Sequence, residues 1–166
     1  MTTPTPRAGI LLRPLTAWAL VALAGTIIFF GFLAWIFPPS PTDFPDRFGL
    51  DGFTSIIVLA APLLAVLVAT KLGPVLAHAR LVGSVALIEY AVALLLGTLA
   101  FLITLAGRFE GLHDEGFYAF GGVVQALGGI LETLLLLALL ALAALWTYRI
   151  YTGIGGRLPR LNIQAD

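Results

Sequence analysis

The chain has 166 residues, of which 60% are hydrophobic and only 11% charged; its formal net charge is zero and it has no cysteine. A soluble domain is nearer half apolar and a quarter charged. Here the apolar excess is gathered into four long runs without helical or strand period, the pattern of a chain dissolved in lipid. The neutral balance excludes a basic nucleic-acid surface, and the missing cysteine excludes thiol catalysis, iron–sulfur ligation and cysteine-based zinc sites.

In chain order, a tail over 1–14 carries Arg7 and Arg13 and leads into an apolar run over 15–37. A secretory signal has an apolar region of roughly 7–15 residues followed by a small-residue cleavage site. This run is longer and ends in IFPPSP, so it reads as a retained transmembrane helix. The connection PPSPTDFPDRFGLDG is proline-rich and reads as an extended hairpin. A second span is expected over 53–72, then a tight turn in which Gly73 ends one helix and Pro74 opens the next. The third and fourth spans are expected over 81–106 and 117–148, and a tail over 149–166 closes the chain. A span needs about 20 apolar residues for a core roughly 30 Å thick, so the domain over 15–148 leaves no room for a soluble unit.

Charge sets the direction. Arg7, Arg13, Lys71, Arg80, Arg149, Arg157 and Arg160 fall on one side of such a four-span chain, and only Arg47 and Arg108 on the other. The positive-inside rule makes the first side cytoplasmic, with both termini. Asp43, Asp46, Asp51, Glu110, Asp114 and Glu115 fall outside. Only one cation, Lys71, is a lysine; with abundant Ala, Leu and Gly, this fits a GC-rich bacterial genome. The expected fold is an all-α, up-down-up-down bundle of four transmembrane helices.

Two carboxylates stand inside the runs. Glu132 is equidistant from Tyr118 and Trp146, aromatic residues of the kind that mark membrane interfaces, so it is expected at the bilayer midplane. Glu89 is closer to Arg80 than to Arg108 and is expected about 7–8 Å inward of its helix centre, at a depth neighbouring that of Glu132. In span four, Gly121, Gln125, Gly128 and Glu132 form one helical stripe, and in span three Ala86, Glu89, Ala93, Gly97, Ala100 and Thr104 form another. Small residues let helices approach and polar ones bond across them, so the two stripes are expected to make one interface. No Lys or Arg lies within a span to pair either carboxylate, and a neutral, hydrogen-bonding resting state is expected. Pro62 leaves the Val58 carbonyl without its helical donor, a partner in reach of a protonated Glu89 or Glu132.

Elsewhere the signals are bland. His113, Asp114 and Glu115 are adjacent, a spacing that seldom converges on one ion, and the aspartates of the first outer loop lack a calcium-loop spacing. His78 and His113 are expected on opposite sides of the membrane, which argues against paired haem ligation. Ser84 has no histidine at its depth to activate it. No enzyme activity, metal or cofactor is expected.

The stretch ARLVGSVALIEYAVALLLG, with Arg80, Glu89 and Tyr90 as its distinctive residues, resembles a segment of small four-span membrane proteins of actinobacteria. The resemblance covers 74–102 and implies a protein of the bacterial cytoplasmic membrane; it brings no activity with it. Small multidrug transporters are similar in span count but carry their essential carboxylate in span one, where this chain has none. Relatives of vitamin K epoxide reductase need cysteines that are absent here. Two functions stay open: an accessory or scaffolding subunit with a membrane-protein partner, or a small proton-coupled transporter or channel, a homo-oligomer using Glu89 and Glu132. No nucleic-acid partner is expected; the lipid bilayer is the common one.

Overall fold

The computed structural model describes residues 7–37, 53–72, 75–76, 78–114 and 120–155. Four helices hold these residues: α1 Arg7–Ile36, α2 Ile56–Thr70, α3 Ala79–Asp114 and α4 Phe120–Gly155. Among the described residues there is no strand. Segments Leu12–Ile36, Ala79–Ala106 and Leu127–Gly153 are long and apolar enough to cross a membrane, while α2 is apolar but shorter. Three such helices make this a membrane protein.

The helices overrun the expected spans. α1 begins at Arg7, inside the stretch expected as a tail, and takes Pro14 into its body. Its end has a chemical cause: Pro38 and Pro39 follow Phe37, and a residue before proline is driven from helical geometry. α2 opens on Ser55, whose hydroxyl accepts from the Val58 amide at 3.3 Å, which satisfies one orphan donor of the first turn. Beyond its last turn, the Leu76 amide donates back to the Ala69 carbonyl at 3.1 Å. α3 and α4 run on to Asp114 and Gly155, past 106 and 148.

Packing follows small residues. Ala17, Val21, Ala24 and Ile28 are the buried stripe of α1; Val58, Ala61, Ala65 and Ala69 serve in α2; Ala79, Val82, Ala86, Tyr90, Ala93 and Ala100 serve in α3. In lipid, apolar burial does not favour one face over another, so close backbone approach and van der Waals contact select these stripes. α2 and α3 form the centre of the bundle; α1 packs on both, chiefly α2, and α4 on both, chiefly α3.

Point contacts fix the vertical register. The Arg13 guanidinium donates to the Val68 carbonyl at 3.0 Å, tying the start of α1 to the end of α2. A Cβ on Gly83 would stand 3.2 Å from Tyr151, and one on Gly97 3.2 Å from Leu137. Gly83 and Gly97 of α3 are each a hole that a large side chain of α4 fills. The two pairs share one antiparallel register, in which Arg13, Lys71, Arg80 and Arg149 gather toward one end.

Candidate functional site

Glu89 lies where two apolar clusters meet. On the Lys71 side are Ala17, Val21, Ala65, Val66 and Ala86; on the other are Ile28, Val58, Tyr90, Ala93 and Leu140. Only 9% of Glu89 is exposed. Its Oε1 would be 2.9 Å from a Cβ on Gly25, so the carboxyl occupies room that only a glycine on α1 leaves. Oε2 is buried without a hydrogen-bond partner among the described residues.

The next residue makes the bond expected of a glutamate. Tyr90 is fully buried, and its hydroxyl donates to the Leu59 carbonyl at 2.6 Å. That carbonyl is in the turn of α2 entered by buried Pro62, which supplies no amide to Val58. The polar partner of the proline turn is thus Tyr90, one residue from the expected donor, on a carbonyl one residue from the expected acceptor. The sequence held a signal for it: a buried tyrosine in an apolar run needs a partner for its hydroxyl.

Of the packing positions, Ala93 and Ala100 are buried, and a Cβ on Gly97 would also press on Thr54 at 3.0 Å. The α4 stripe does not join them. Gly128 is exposed and a Cβ there would meet nothing within 4 Å; Glu132 is exposed as well. The buried face of α4 instead carries Thr133, Leu140, Ala143 and Thr147. The contact between the two helices is not small residue on small residue: at Gly83 and Gly97 the hole is on α3 and the knob, Tyr151 or Leu137, is on α4.

The depths differ too. In the register of Gly83 with Tyr151 and Gly97 with Leu137, Glu132 stands level with Leu102, not with Glu89. The separation along the bundle is about 20 Å at 1.5 Å per residue. Trp146, expected at the membrane interface, stands level with Ile88 by the same register. Glu89 and Glu132 therefore do not share an interface in this chain: one is buried against α1, the other exposed on α4 near the opposite end of the apolar segment.

Gly121 and Gln125 belong to α4, but their side-chain surroundings lie outside the described residues, as do the 38–52 and 115–119 connections, the His113 and Asp114 side chains and the tail from 156. Among the described residues no cluster of three His, Asp or Glu side chains is placed to hold a metal. Comparison with protein-family models, with curated proteins and with solved structures finds no match.

Proposed function

We propose that the chain crosses a bacterial cytoplasmic membrane four times, with both termini cytoplasmic, and acts as a non-enzymatic accessory or scaffolding subunit. The antiparallel packing supports the topology, because it draws the cations of separate connections to one end, the end the positive-inside rule assigns to the cytoplasm. α2 has 15 helical residues, about 22 Å, short of a core about 30 Å thick. The residues before it make up length: Phe53 and Thr54 are buried, Thr54 against Gly97 of α3. Non-helical backbone at membrane depth is tolerated where protein covers it.

The observation that carries the role is the edge of α4 where Gly128 and Glu132, one turn apart, are both open within an apolar segment. A carboxylate facing hydrocarbon is costly, and an open glycine beside it permits a second helix to approach closely. The fitting partner is a transmembrane helix with a donor or cation at that level. The test is a photo-crosslinking residue at Leu131 in native membranes, with Leu23 of α1 as the control position. A single adduct with a different protein, formed from 131, absent from 23 and lost in Glu132→Leu, is expected. A ladder in steps of the 17.6 kDa chain would defeat the accessory role. Reporter fusions at the C-terminus and in the 38–52 connection should report opposite sides; same-side signals would defeat the topology.

Glu89 favours a second reading, a small proton-coupled transporter or channel, through its buried carboxyl with Oε2 unpartnered. That reading rests on Glu89 without Glu132, which stands far along the axis. It predicts that Glu89→Gln keeps the fold and abolishes a proton-dependent flux; unchanged flux removes it.

A further inference from the structure

A cleft of about 510 Å³ opens between the end of α2 and the last turns of α4, lined by Thr70, Lys71, Val75, Trp146, Arg149 and Ile150. Its two cations come from separate parts of the chain and are both exposed. No Asp or Glu occurs in 65–88 or 133–155, the stretches that build the cleft and its flanks. The positive charge has no acid within those stretches to answer it, so a complementary anion comes from outside them. The position of the cleft says which kind. Its α4 wall is the last two turns of the apolar segment Leu127–Gly153, and its other wall is the end of α2. On one wall Trp146 is 61% exposed, one turn deeper in the apolar segment than Arg149, so its indole offers an acyl chain a surface below the two cations. Val75 and Ile150 add apolar surface beside the cations, while Thr70 adds a hydroxyl.

We propose that this cleft binds the phosphate of an anionic phospholipid, with Lys71 and Arg149 on the phosphate oxygens and the acyl chains against Trp146 and Ile150. Arg149 can meet two phosphate oxygens with its planar fork, and Lys71 acts as a point charge. Basic pockets between transmembrane helices select anionic headgroups by this chemistry. The apolar wall distinguishes a lipid from free phosphate, which gains nothing from it.

The experiment uses the full chain with Trp18→Phe and Trp35→Phe, which leaves Trp146 as the one tryptophan. It is reconstituted in nanodiscs of phosphatidylcholine with a small fraction of phosphatidylglycerol, and either lipid carries brominated chains that quench indole fluorescence. Quenching by brominated phosphatidylglycerol well beyond its mole fraction is expected. Lys71→Gln or Arg149→Gln should each lower the preference about fivefold, and the pair together about thirtyfold. Arg80→Gln removes an exposed cation of the same end that does not line the cleft, and should leave the preference within twofold. Quenching in proportion to mole fraction overturns the proposal. So does an Arg80→Gln loss equal to that of Arg149→Gln, which would mean diffuse surface charge. Displacement of the lipid by millimolar inorganic phosphate at constant ionic strength overturns it in favour of a soluble anion.

Discussion

Glu89 and Glu132 are the same side chain in runs of similar composition, yet the bundle treats them in opposite ways. Glu89 is folded into the protein, its carboxyl against Gly25 of α1 and its neighbour Tyr90 locked to α2. Glu132 is left on the outer edge of α4 beside a glycine on which an added Cβ would meet nothing within 4 Å. The difference arises from what faces each residue. α1 offers a glycine at the level of Glu89, and α4 turns Thr133, the residue after Glu132, toward the interior. One step along a helix rotates a side chain by about 100°, enough to exchange a buried position for an exposed one. In lipid both outcomes leave aliphatic groups on both faces, so polarity alone does not mark the inside.

The sharpest way to break this comparison is to fill the space Glu89 occupies. Gly25→Leu introduces a branched side chain where even a Cβ would stand 2.9 Å from Oε1. We expect a loss of about 3 kcal/mol, the upper part of the range for overpacked interiors, read from unfolding in mixed detergent micelles. The diagnostic arm is the double variant Gly25→Leu with Glu89→Ala. If the carboxyl is the obstacle, the small residue relieves the large one, and the coupling should reach about 1 kcal/mol or more. Additive losses would show that Gly25 is needed for another reason.

Gly97→Leu comes next and tests the knob-and-hole register that separates the two carboxylates in depth. The added side chain meets Thr54 and Leu137 together, and a loss of about 2 kcal/mol is expected by the same overpacking argument. A neutral result would dissolve the register, and with it the distance between Glu89 and Glu132.

Much of this bundle was legible in the residues alone. Four helical segments, the stripe of Ala93, Gly97 and Ala100, and a buried Glu89 all follow from apolar run length and small-residue spacing. The helix limits did not follow. α1, α3 and α4 continue beyond the apolar runs because a formed helix propagates through residues of ordinary propensity until something stops it. For α1 the stop is Pro38; no equivalent stands just after 106 or 148. Glu89 and Glu132 do not pair, because distance along the sequence from Tyr118, Trp146 or the flanking arginines does not set how α3 and α4 slide against each other. Register is decided by contacts such as Tyr151 on Gly83 and Leu137 on Gly97, which no distance to an interfacial residue encodes. The inward face of α4 failed for a related reason: with aliphatic residues all round, its glycines looked like its contact surface, and its threonines are the buried ones.

A smaller effect is expected at the polar joint itself. Tyr90→Phe keeps the ring in the core and removes only the hydroxyl that reaches the Leu59 carbonyl at 2.6 Å. Hydrogen bonds between membrane helices average about 0.6 kcal/mol and reach about 1.7. Because this one serves a carbonyl in the turn entered by Pro62, we expect about 1 kcal/mol. A change below about 0.3 kcal/mol would mean that water or a shifted backbone replaces it.

The smallest change in stability is the one that sharpens the comparison most. Gly128→Leu adds a large side chain where a Cβ would find open space, so the purified chain should unfold within about 0.5 kcal/mol of the parent, as surface substitutions do. Interaction through that edge should respond in the opposite way. A leucine there pushes away any helix that approaches the glycine, so the photo-adduct from position 131 in native membranes should fall at least fivefold while stability stands still. Loss of stability together with loss of the adduct would place Gly128 inside the chain's own packing, beside Glu89 in kind. An unchanged adduct would place the partner's contact elsewhere on α4 and leave Glu132 as a carboxylate at the edge of the apolar layer, answering to water and not to a partner.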